Sequence, residues 1–147
     1  MFNFRNQILD SLSSSIPGGL DPAGLRSIIL QPSHIIGEPS ARLESVYFPQ
    51  SALISSVIEL ASGESIDGVL IGSEGVFGSA AAFGAPVPLY SSVVQRAGTC
   101  WLMPASELRR LVRESDEVAA LLFRYQHFLL AQAQQVAACA TKHHVRE

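Results

Sequence analysis

The chain has 147 residues, 48% of them hydrophobic and 16% charged, with a net charge of −3, which is material for one core with an appended helix. Its basic residues include a single lysine, Lys142, and only Arg109, Arg110 and Arg113 cluster. A chain that grips nucleic acid needs a basic patch to neutralise phosphates, so this one is not expected to hold DNA unaided.

Phe4, Ile8, Leu9 and Leu12 share one face at helical spacing, and Ser13-Ser-Ser-Ile-Pro-Gly-Gly19 stops that helix. Asp21-Pro-Ala-Gly-Leu25 predicts a second start, with Asp21 as N-cap and Pro22 at the first helical position. Leu25, Ile28 and Ile29 are expected to face inward. From Leu30 to about Met103 the period falls to two. The predicted strands are Leu30–Ile36, Ser45–Pro49, Ala52–Leu60, Glu64–Ile71, Pro88–Gln95 and Thr99–Met103. Ser62-Gly63 between two alternating runs predicts a hairpin. Many short strands at this spacing favour a small barrel or jelly roll.

Helix returns after Pro104, with Leu108, Leu111 and Val112 on one side. Ser115-Asp-Glu117 reads as a cap and an acidic first turn. The stretch from Asp116 to Glu147 contains neither Pro nor Gly. Val118, Leu122, Tyr125, Leu129 and Val136 recur along it at three-to-four spacing, and Leu121, Phe128 and Cys139 widen the stripe. The helix can fold onto its own barrel or form a dimer seam, and because a single small barrel is too short to cover a rod of about 48 Å the seam is the expectation. Lys142-His-His-Val-Arg146 supplies the basic end that suits a helix C-terminus. The division predicted is therefore residues 1–114 for a mainly β unit with short flanking helices, and 115–147 for the long helix.

Gly63-Glu-Ser-Ile-Asp-Gly-Val-Leu-Ile-Gly-Ser-Glu-Gly-Val-Phe-Gly-Ser-Ala-Ala-Ala-Phe-Gly84 is the most informative stretch. It reads as a strand that leaves a hairpin, breaks at Gly72 and opens a short glycine-flanked helix. With Val46-Tyr-Phe-Pro-Gln-Ser-Ala52, Ile54-Ser-Ser-Val-Ile-Glu-Leu60 and Gln95-Arg-Ala-Gly98, the ordered set resembles the N-terminal sensor of Crp/Fnr family transcription regulators. The resemblance implies a double-stranded β-helix, or jelly roll, of the cyclic-nucleotide-binding-like kind. It also implies a C-terminal helix that pairs two copies through Val118, Leu122, Tyr125, Leu129 and Val136. A winged helix-turn-helix would follow that helix, and this chain ends where it should begin.

The same resemblance places an effector pocket at Gly72, Ser73, Glu74 and Gly75, with Tyr90, Ser91 and Ser92 near the position where cyclic-nucleotide-binding members carry an arginine. The turn can cradle an anion or serve backbone geometry alone, and Glu74 can accept a ligand hydroxyl or cap the following helix. Tyr90 and Ser92 share one strand face, opposite Ser91. Without a guanidinium to pair the phosphate, tight binding of cyclic AMP is not expected. No other cofactor is expected: two distant cysteines cannot hold an iron–sulfur cluster, and the four histidines have no axial-ligand pattern.

No catalytic signature of the nucleophile-elbow, zinc-helix or phosphate-loop kind is present, so an enzyme is not expected; a cupin-like barrel would need metal-binding histidines on strands, and only His34 qualifies. Cys100 and Cys139 match no metal spacing. No apolar run has the roughly 18 residues of a membrane span, and Met1–Arg5 does not begin a secretory leader. A cytoplasmic location follows from these. The expected function is effector sensing and dimerisation for a Crp/Fnr-like regulator. The alternative is a stand-alone ligand-binding or protein-interaction module with no DNA role, and a reading frame continuing past Glu147 into a helix-turn-helix would separate the two.

Overall fold

A computed structural model describes residues 2–144 of the chain, with side chains as far as Lys142. The basic end at Lys142–Arg146 and the His143-His144 pair therefore fall largely outside the described residues. Three helices and seven strands follow in order: α1 (Gln7–Ser14), β1 (Arg26–Leu30), β2 (Ile35–Gly37), β3 (Ser45–Pro49), β4 (Leu53–Glu59), β5 (Ser65–Ile71), β6 (Ser91–Arg96), β7 (Gly98–Pro104), α2 (Ala105–Glu114) and α3 (Asp116–His144). Short 3-10 turns occupy Pro22–Gly24 and Ser79–Phe83.

The strands form two antiparallel sheets, β1-β7-β3 and β2-β6-β4-β5. Leu30 and Cys100 from the first meet Ile54, Ile71 and Val94 from the second in an apolar interior. This is the mainly β roll that the period-two patterning predicts. Consecutive strands β6 and β7 lie in different sheets, and the corner between them turns tightly against β3's end. A Cβ at Gly98 would lie 2.4 Å from the Ala52 nitrogen and 2.5 Å from the Ser51 carbonyl carbon. Only glycine lets the chain cross there.

A second core, built from the helices, closes one end of the roll. Phe4, Leu9 and Leu12 pack with Phe48, Met103, Leu108, Val118 and Leu122, each nearly or fully inaccessible. Asn6 ties this end together. Its Oδ1 accepts from the Leu9 N–H at 2.9 Å and caps α1. Its Nδ2 donates to the carbonyls of Pro49 at 2.7 Å and Gly75 at 2.9 Å.

Several boundaries differ from expectation. The helix starts at Gln7, not Phe4, because Arg5 sits in the left-handed region at φ 57° and Asn6 supplies the cap. Phe4 still reaches the core from the extended lead-in. Asp21 and Pro22 open a single 3-10 turn, and strand begins already at Arg26. The strand expected over Leu30–Ile36 is two strands split by a turn at 31–34. Ile28 and Ile29 therefore point to opposite faces, and Ile29 is 69% exposed.

Candidate functional site

The Gly72–Gly75 turn is real but closed upon itself. Glu74 Oε1 accepts from the Gly72 N–H at 3.0 Å, and the Gly75 N–H donates to the Gly72 carbonyl at 3.1 Å. The Ser73 carbonyl receives the Gln7 N–H at 2.8 Å, docking the turn onto the start of α1. Gly75 lies so near α3 that an added Cβ would stand 2.3 Å from Tyr125 Oη. Val76 and Phe77 then run extended, with Phe77 bridged to Tyr47, and helical turns begin only at Ser79. Gly72, Ser73, Glu74 and Gly75 thus form a structural joint between α1 and α3. Glu74 caps its own turn rather than a helix, and none of the four lines the roll's cavity.

That cavity, of about 360 Å³, opens on the other side of the same segment. Its floor is the second sheet, from which Ile54, Ser56, Val69 and Ser92 project. Gly78, Ser79 and Ala80 form one wall. Gly78 has φ 93°, and a Cβ there would lie 2.9 Å from Leu43 Cδ1, so glycine alone permits this turn into the 3-10 segment. The mouth is the apolar loop 85–90, in which Leu89 is 85% exposed. The last wall is α3, through Gln126 and Leu129. Gln126 Nε2 donates to Ser79 Oγ at 2.5 Å, a direct tie from the cavity wall to the long helix.

Of the residues read from sequence, Tyr90 and Ser92 line this cavity on their shared face, and Ser91 points away, paired opposite Val57. Gly78, Ser79 and Gln126 escaped that reading. The glycine flanking at 78 and 84 marked the short helix, yet the resemblance drew attention to the earlier turn. Gln126 is a lone polar residue beside an apolar stripe, a weak signal in sequence.

The stripe on α3 divides. Val118, Leu122 and Tyr125 are buried in this chain's own helical core, so they are spent within one subunit and do not form an exposed seam. The reason is geometric: the first three turns of α3 lie against α1, α2 and the Gly75 turn. Leu129 borders the cavity, and Val136 is 57% exposed. Every described side chain from Leu130 to Lys142 is exposed.

Titratable groups near these elements serve structure. Burial pushes the Tyr125 hydroxyl up to about 12, and the neighbouring Glu74 carboxylate pushes the same way. Burial likewise pushes the Cys100 thiol up to about 12, which leaves it inert. On α2, Arg110 pairs with Glu107 and Glu114, and its hydrogen bond holds the Glu107 carboxyl below the usual range. A cleft of about 490 Å³ between the Ile16–Leu25 segment and α2 includes Glu107 and Arg110, which pair with each other, and Asp21, which accepts from the Ala23 N–H. Among the described residues no group of three or more His, Cys, Asp or Glu is placed to hold a metal. No described helix is long and apolar enough to cross a membrane.

No family model and no curated protein matches the sequence. Solved structures do resemble the fold. FixK2 from Bradyrhizobium japonicum superposes with a TM-score of 0.66 at 20% identity, over 76% of this chain and 55% of that one. The Thermus thermophilus catabolite activator protein gives 0.64 at 14% identity, over 81% and 56%. The sensor domain of the transcriptional regulator DNR from Pseudomonas aeruginosa gives 0.58 at 13%, over 75% and 78%. The fold is thus the cyclic-nucleotide-binding-like β roll of these structures, with a long C-terminal helix. This chain matches little more than half the length of FixK2 and of the Thermus protein.

Proposed function

We propose that this chain is the effector-sensing and dimerisation part of a Crp/Fnr-like transcription regulator. The fold likeness supports the class. The observation that carries the reading is α3: its first half docks on the roll, while its second half is uncovered and carries small apolar residues with glutamines interleaved. Leu130, Ala133, Val136, Ala137 and Ala140 lie in that uncovered half. Phe123, Leu130 and Ala137 repeat at seven, with Ala133 and Ala140 three residues after the last two, the spacing of a two-helix seam, whereas Gln126 is held in the cavity wall by Ser79. Phe123 is 65% and Leu130 56% exposed, so this face is free where Val118, Leu122 and Tyr125 are not. The seam expected from sequence moves round the helix and keeps only its distal part.

In this reading an effector sits in the cavity against Ser79, Gln126 and Leu129. Changing the Gln126–Ser79 contact shifts α3 and hence the pairing of two copies, biasing a two-state arrangement. Any DNA contact belongs to a further domain. Among the described residues no cation lines the cavity, which supports weak or no binding of cyclic AMP. The chain acts by binding rather than catalysis, in the cytoplasm. Sedimentation equilibrium tests the pairing. A dimer at micromolar concentration is expected, dissociated by Leu130→Glu. A strict monomer at high micromolar concentration contradicts the reading.

A further inference from the structure

We infer that the cavity of the roll takes an uncharged, largely apolar small molecule carrying one hydrogen-bonding group, and discriminates against anions. The inference deepens the sensor reading and rests on it for its biological meaning. Its physical basis is the cavity itself. A volume of about 360 Å³ lies at the small end of ligand sites. Ile54, Val69, Val76, Phe77 and Leu129 are among its lining, and among the described residues no Lys, Arg, His, Asp or Glu lines it.

The polar groups that remain are hydroxyls, one amide and backbone. Two are already committed: Ser56 Oγ accepts from the Val69 N–H at 2.9 Å, and Ser79 Oγ accepts from Gln126 Nε2 at 2.5 Å. Two of the chain's arginines are committed to backbone carbonyls. The Arg96 guanidinium donates to the Ser51 carbonyl at 3.3 Å, and Arg109 donates to the Ala81 carbonyl at 3.3 Å from α2. An anion entering here would lose its hydration with no charge to replace it, a cost hydroxyls alone do not offset. A neutral apolar molecule loses little on entry and gains the wall. Its single polar group is best placed at the Ser79–Gln126 pair, where it joins or replaces a bond that ends on α3.

Two fluorescent probes with one skeleton test this. N-phenyl-1-naphthylamine is neutral, and 1-anilinonaphthalene-8-sulfonate adds a sulfonate. The neutral probe is expected to bind saturably, one per chain, and the sulfonate at least about tenfold more weakly. Ala80→Trp and Val69→Phe fill the cavity from two sides, and either variant that keeps a cooperative thermal transition should weaken the neutral probe about tenfold. Arg113→Ala, exposed on α2 and outside both the cavity and the seam, should leave it unchanged. Leu89→Arg, at the exposed mouth, should raise sulfonate affinity several-fold by supplying a cation. Equal or tighter binding of the sulfonate by the unaltered chain overturns the inference, as does neutral binding that survives a folded cavity-filling variant. Sedimentation reads the pairing separately, so a monomer that still selects the neutral probe removes the regulator reading and keeps the cavity's chemistry.

Discussion

Asn6 offers the most quantitative check of how the helical end is held. It is 1% exposed and makes three hydrogen bonds, one accepted from Leu9 and two donated to the Pro49 and Gly75 carbonyls. Asn6→Ala removes a helix cap worth about 1 kcal/mol and two buried bonds worth about 1 kcal/mol each. The expected loss is about 3 kcal/mol, a fall in Tm of roughly 6–12 °C for a domain of this size. Asn6→Asp separates the two roles. It keeps the acceptor for Leu9 but sets a carboxylate against two carbonyl oxygens, so at neutral pH it should be at least as damaging as alanine. Burial and those carbonyls raise the folded pKa of the introduced acid above its ordinary value of about 3.9. The folded state then binds more protons than the unfolded one, so the variant recovers relative to the parent as pH falls from about 8 towards about 5. Scanning calorimetry or urea denaturation at several pH values reads this directly. An aspartate variant as stable as the parent at about pH 8 would refute the reasoning.

Three further outcomes are expected. Leu122→Ala, at a position with no exposure on the docked half of α3, should cost about 2–5 kcal/mol by urea denaturation; a cost below about 1 kcal/mol would mean the helix is not docked there. At mildly alkaline pH a disulfide reagent should modify exposed Cys139 and spare Cys100, which is buried with its thiol pushed up to about 12; reaction of both thiols in the native protein would contradict that burial. Titration calorimetry with cyclic AMP and cyclic GMP should show nothing tighter than about millimolar, and a micromolar constant would show that a cation reaches the cavity after all.

Much of the fold was legible because period-two alternation between Ser45 and Met103 leaves few choices. Turn residues punctuate it clearly, and the predicted strands over Ser45–Pro49 and Thr99–Met103 fall within a residue or so of β3 and β7. Boundaries failed where one residue decided them. Neither the left-handed Arg5 nor the split at 31–34 leaves a pattern in composition. The site was less legible. A glycine-rich turn announces a backbone need but not which face of the chain it serves, and here Gly72–Gly75 serves the α1–α3 joint while Gly78–Ala80 serves the cavity. The α3 stripe misled for a related reason. Helical spacing shows that Val118, Leu122 and Tyr125 need cover, whereas only the fold decides whether that cover is the chain's own roll or another copy.

Pulsed electron resonance on a nitroxide at Cys139 tests the pairing of α3 most directly. Cys139 is exposed on the uncovered half of the helix and Cys100 is buried, so one label per chain reports on that half. Two helices paired in parallel along Phe123, Leu130 and Ala137 should give one narrow distance of about 20–30 Å between labels, lost in Leu130→Glu. A decay with no dipolar modulation at about 100 μM would contradict the account, since the pairing needs an affinity well below that concentration.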